Sequence, residues 1–160
     1  MRAFSFVHAA DLHLGYSQYG LEARRQDFDN AFGELVDKTI ELKPDFMIIA
    51  GDLFHQARPS NVTLENAIRQ FGRLREAKIP VLTVDGSHDS APNNITGTIL
   101  NPLDSTGLIY QLPRHEGACW KKPDRCYVYG VPNYRTRHRT EEMLPDFLAR
   151  NKPEPDHALF

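Results

Sequence analysis

The sequence predicts an α/β fold built on a parallel sheet, and three observations carry that expectation. Short β-rich apolar runs alternate with helical patterns along most of the chain, as in successive βαβ units. The run "DFMIIAGD" is continuously apolar before its acid, the pattern of a strand buried on both faces of a parallel sheet. Three of the β-rich runs are followed at once by small clusters of Asp, His and Gly. In open α/β sheets the crevice beyond the strand carboxyl ends is where ligands bind.

Taken in order, "RAFSFVHAA" is the first strand. "LEARRQDFDNAFGELVDKTIEL" follows, with Phe28, Phe32, Leu35, Val36 and Ile40 at helical spacing, and Lys43-Pro44 stops it. After "DFMIIAGD", a second helix runs through "ARPSNVTLENAIRQFGRLREA", capped by Ser60 or Asn61. "KIPVLTVDG" is the third strand and "NNITGTILNPLDSTG" holds a short helix. "LIYQL", "GACW" and "RCYVYGVPN" read as further strands, with "WKKPDR" as a hairpin that makes Cys119 and Cys126 cross-strand neighbours. "RTRHRTEEMLPDFLARN" is a last helix, broken or kinked at Pro145, and "HALF" starts another strand. An end on apolar Leu159-Phe160 reads as an interrupted domain.

At 160 residues the chain has the length for one domain with a real core. Its net charge of -2 gives no overall attraction to nucleic acid and leaves room for a local basic face. No apolar run approaches the roughly 20 residues of a membrane helix, so a membrane role is not expected. The N-terminus lacks the apolar core of a signal peptide, which points to a cytoplasmic protein. Two cysteines make no zinc cage, and both read as structural thiols.

The chemistry lies in the three clusters. Asp11 and His13, two apart in an extended segment, reach one ion from the same side. Asp52 and His55 follow "FMIIA", and Ser87 and His88 follow "PVLTV". Singly, Asp11 reads equally as a loop cap, Asp52 as a turn acid and His88 as a surface histidine. Together at three consecutive strand ends they read as a site for a cation such as Mn, Fe or Zn. Gly51 and Gly86 provide tight turns and close backbone approach. His8, inside the first strand, reads as a hydrogen-bonded core histidine. The basic cluster of "NYRTRHRT" reads as a solvated helix face balanced by Glu141 and Glu142.

"HAADLHLGYSQYG", "DFMIIAGDLFHQARPS" and "GSHDSAPN" resemble the calcineurin-like metallophosphoesterases. The tails of these motifs, with the Arg24 to Phe28 helix start, narrow the resemblance to the SbcD or Mre-eleven family, the nuclease subunit of the double-strand-break repair complex. The resemblance covers residues 2 to about 135. It implies a four-layer αββα sandwich, here incomplete at the C-terminus, so that residues 1–160 are the N-terminal part of one nuclease domain. It implies a DNA phosphodiesterase using two Mn ions, both exonuclease and single-strand endonuclease, found close to DNA. Its implied partners are a coiled-coil ABC ATPase of the SbcC type and a second copy in the full-length protein.

The resemblance also assigns roles. Asp11 and His13 would bind the first metal, and Asp52 would bridge both. Ser87 stands where the family has an Asn ligand, which weakens the second position. His88 would serve the scissile phosphate and leaving oxygen, and Tyr16 and His55 would lie close to the nucleotide. Arg58, just past His55, is placed to reach DNA. Three downstream histidines of the family pattern have no counterpart, since His115, His138 and His157 do not fit it. This chain alone is therefore expected to hold one Mn ion weakly through Asp11, His13 and Asp52. Two other functions remain open. One is a phosphodiesterase for nucleotides or other small diesters, against which the "LFHQARPS" tail argues. The other is a catalytically incomplete platform for DNA or a protein partner, favoured by the absent histidines.

Overall fold

The computed structural model describes residues 3–90, 97–122 and 126–151. Its centre is a four-stranded sheet of β1 (Phe6–Ala9), β2 (Phe46–Ala50), β3 (Val81–Val84) and β4 (Tyr110–Gln111), in spatial order β1-β2-β3-β4. Every pairing is parallel, with Phe6 opposite Phe46, Met47 opposite Val81 and Leu82 opposite Tyr110. Helices α1 (Glu22–Leu42), α2 (Asn61–Glu76) and α3 (Leu100–Ser105) make the three crossovers. Right-handed crossovers between strands laid down in sequential order put all three helices on one face.

Strand alternation sends side chains to two separate cores. Met47, Ile49 and Val81 meet Phe32 and Val36 of α1, Phe71 and Leu74 of α2, and Leu100 and Leu103 of α3. Phe46 and Leu82 point the other way and meet Leu112, Cys126 and Val128. This second face is covered by an antiparallel hairpin, β5 (Cys119–Lys122) and β6 (Cys126–Tyr129), with Trp120 packed on Phe46 at 5.2 Å between ring centroids. Helix, parallel sheet and second sheet thus form the expected α/β layers. Helix α4 (Arg137–Arg150) is anchored by buried Phe147.

The helix ends follow local chemistry. Lys43 adopts a left-handed φ of 49° and its N–H returns to the Thr39 carbonyl, closing α1 just before Pro44. Ser60 is the cap of α2, its hydroxyl accepting the Thr63 N–H at 3.2 Å. The basic start of α4 is balanced as expected, with Arg137 paired to Glu141 at 2.7 Å.

Several expectations need correction. Of the break or kink expected at Pro145, the break is absent: α4 runs from Arg137 to Arg150 with the proline inside it. Cys119 faces Tyr129 and Cys126 faces Lys122, so the thiols sit at opposite ends of the hairpin rather than as cross-strand neighbours. Both are free. Gly117 has a left-handed φ of 70° in the turn before β5, instead of lying in a strand. His8 is exposed rather than a core residue. The "HALF" strand and His157 lie outside the described residues, as does the start of "NNITGTIL". Among the described residues, no helix is long and apolar enough to cross a membrane.

Candidate metal centre

β1, β2 and β3 are neighbours, so their carboxyl ends lie side by side, about 4.8 Å apart per strand. Beyond Ala9 and Ala50 the two chains stay zipped together. Asp11 N–H donates to the Gly51 carbonyl at 3.2 Å, His13 N–H to that of Asp52 at 3.0 Å and Leu14 N–H to that of Leu53 at 2.9 Å. The two loops therefore act as one unit, closed by a parallel bridge between Leu14 and Phe54.

Asp11, His13 and Asp52 do not sit in extended backbone. All three have left-handed φ values, of 54°, 45° and 48°. A non-glycine residue in that region costs of order 1–3 kcal/mol, and such strain collects at functional sites. The turns replace the strand alternation assumed from sequence, yet they still bring the side chains together. One ligand atom from each of Asp11, His13 and Asp52 lies within 4.8 Å of the others. Two carboxylates and an imidazole suit a divalent cation of hard to borderline character. His13 Nδ1 is buried without a hydrogen-bond partner, as a ligand nitrogen awaiting an ion would be. The residues present fit the metal that the sequence suggests.

Gly51 and Gly86 make this arrangement sterically feasible. A Cβ on Gly86 would stand 2.1 Å from Asp52 Oδ1 and 2.2 Å from the Asp52 nitrogen. A Cβ on Gly51, whose φ is 90°, would meet the Gly86 Cα at 3.0 Å. The third loop thus lies directly on Asp52. Its His88 N–H donates to Asp52 Oδ1 at 2.8 Å, and Ser87 Oγ donates to Asp52 Oδ2 at 3.3 Å. Ser87 reaches the carboxylate rather than standing apart from it.

Around this centre lie three imidazoles. The His13 ring is 4.8 Å from that of His88 and 5.4 Å from that of His55, and His55 and His88 are stacked at 5.2 Å. His88 Nδ1 lies 2.7 Å from the His55 carbonyl. A carbonyl only accepts, so Nδ1 carries the proton and Nε2 keeps its lone pair in the neutral ring. Burial, and then the nearby His88 and His13, push the His55 imidazole below its ordinary value, with Asp52 pulling the other way. Tyr16 packs on His55 at 4.3 Å and edge-on against Phe28 at 5.4 Å. Arg58 is exposed on the loop after His55.

Sequence reasoning gave Asp89 no role of its own. Its side chain is fully buried and accepts Phe54 N–H at 2.7 Å, Leu53 N–H at 2.9 Å and Gly86 N–H at 3.3 Å. It is the clamp between the second and third loops. Burial pushes its carboxyl above the usual carboxylate value, and the three N–H bonds oppose that rise. The one available signal is its position beside His88 at a strand end. His115 is accounted for structurally, its Nε2 2.8 Å from Asp104 and its ring stacked on Tyr110.

Residues 4–160 match the calcineurin-like phosphoesterase family. The chain is 36% identical to the DNA double-strand break repair protein Mre11 of Archaeoglobus fulgidus over 96% of its own length and 37% of that relative. It is 36% identical to the protein of the same name from Sulfurisphaera tokodaii, over 99% of this chain and 40% of that relative. Its identity to the Methanococcus maripaludis Mre11 is 44%, over 52% of this chain and 23% of that relative. The chain therefore spans well under half the length of these curated relatives. With its parallel sheet, its glycine-packed loops and the Asp and His side chains gathered at three strand ends, the chain belongs to the calcineurin-like phosphoesterases, in the Mre11 family.

Proposed function

We propose that residues 1–160 are the N-terminal part of a single metal-dependent DNA nuclease domain, an exonuclease and single-strand endonuclease that acts in double-strand-break repair inside the cell. The observation that carries this reading is the convergence of Asp11, His13 and Asp52, with the His88 ring 4.8 Å from that of His13. Asp11, His13 and Asp52 would hold the first of two Mn ions. Asp52 would also face the second, where Ser87 offers a shorter and weaker donor than a carboxamide.

A bound divalent cation supplies an acidified water and polarises a phosphoryl oxygen. The chain's own groups do the rest. Asp52 is held in place by the His88 N–H and the Ser87 hydroxyl, so its carboxylate needs little reorganisation. His88, fixed through Nδ1 by the His55 carbonyl, has its Nε2 lone pair free to take a proton from solvent and pass it to the leaving oxygen of the phosphodiester. Tyr16 and His55 form the wall against which the nucleotide lies, and Arg58 stands exposed to meet a phosphate. Coiled-coil ABC ATPase and homodimer partners follow from the Mre11 relationship alone.

The test is Mn-dependent cleavage of labelled single-stranded DNA, by this chain and by a version extended to the length of its relatives, each beside Asp52→Ala. Cleavage by the extended protein that vanishes in the variant supports the reading. Hydrolysis of a small diester with no cleavage of DNA would replace it with the small-molecule alternative. Inertness in both forms would favour the binding platform.

A further inference from the structure

We infer that the chain holds a second, nitrogen-only metal site, made by His13, His55 and His88 and suited to zinc rather than manganese. Its three ligand atoms, one from each ring, lie within 4.8 Å of one another. A tetrahedral zinc with Zn–N bonds of about 2.0–2.1 Å sets its nitrogens about 3.4 Å apart. Small χ rotations close that gap, since His13 and His55 are half-buried and His88 is exposed.

Two further features prepare the rings as ligands. His13 Nδ1 and His55 Nδ1 are both buried with no hydrogen-bond partner, an unfavourable arrangement that an ion would relieve. His88 is oriented from behind, because its Nδ1–H donates 2.7 Å to the His55 carbonyl and so leaves Nε2 as the donor atom. A ligating histidine characteristically has its other nitrogen tied in this way, to a carbonyl or carboxylate. Three neutral imidazoles with no carboxylate favour zinc, and three protein ligands leave a fourth position open to water.

His13 belongs to both metal groups. Zinc on the three imidazoles would therefore draw His13 away from Asp11 and Asp52 and remove His88 from any role at a phosphate. The site is a means by which zinc would oppose manganese. That consequence rests on the proposed function, whereas the binding itself does not.

The test is a titration of the metal-free chain with zinc alone, read by calorimetry, with no DNA present. The native chain should bind one zinc. His55→Ala and His88→Ala should each weaken it at least about tenfold, and by more than Asp11→Asn does. Absence of zinc binding, a loss below about tenfold in the histidine variants, or a loss in Asp11→Asn as large as theirs would overturn the proposal. Cobalt in the unaltered chain provides a measurement that depends on no variant. An intense visible spectrum of four-coordinate cobalt is expected, and the weak spectrum of a six-coordinate ion would overturn the site. Cleavage assays enter neither arm, so loss of the nuclease reading and loss of the zinc site would be told apart.

Discussion

Replacing Asp89 by Asn should loosen the whole metal centre although Asp89 belongs to neither candidate ligand group. The carboxylate accepts Phe54 N–H on one oxygen and Leu53 and Gly86 N–H on the other. A carboxamide has one acceptor oxygen. At best it keeps the Leu53 and Gly86 bonds and turns its NH₂ toward the Phe54 N–H, leaving two donors face to face in a fully buried place. The stranded donor costs about 1–3 kcal/mol, and making the two remaining bonds neutral rather than charge-assisted costs about 1 kcal/mol each. Relief of a buried charge returns part of this, so the net loss should be about 2–4 kcal/mol. For a chain of this size that corresponds to roughly 4–16 °C in Tm. Urea unfolding followed by the fluorescence of Trp120, the single tryptophan, measures it directly. A loss below about 1 kcal/mol would refute the argument that Asp89 is the clamp between the loops.

The same carboxyl has a pH signature. Its folded value lies above the ordinary one, so between those two values the folded chain holds a proton that the unfolded chain has lost. Stability from this group is full below the ordinary carboxylate value and declines as pH rises through the folded value; the pH dependence of Tm should lose that decline in Asp89→Asn. Gly86→Ala would drive a methyl to 2.1 Å from Asp52 Oδ1 and must displace the carboxylate, so manganese binding by calorimetry should weaken at least about tenfold. Ser60→Ala removes the α2 cap and should cost about 1 kcal/mol in urea unfolding while leaving metal binding unchanged.

The sequence by itself determined the sheet and its function-bearing edge. Apolar runs such as "FMIIA" and amphipathic spacing such as Phe32 and Val36 are local patterns, and the burial they demand has one economical solution, a parallel sheet with helical crossovers. It also marked Asp11, His13, Asp52, His55, Ser87 and His88, because polar residues placed right after buried strands are legible from chain order. What only the tertiary structure decided is how those residues meet. The left-handed φ values at Asp11, His13 and Asp52 fall on non-glycine residues, which Gly51 announces only beside Asp52, and they hold because backbone hydrogen bonds between the neighbouring loops over-determine them. Asp89 is polar and next to a histidine, which in sequence resembles a ligand or a surface acid. Its role as a clamp depends on N–H groups 35 and 36 residues away. The grouping of three imidazoles likewise joins three loops, and the hairpin register that parts Cys119 from Cys126 depends on pairing across a turn. Local periodicity dictates which face of an element is buried; distances between loops are fixed only when the elements that carry them have packed.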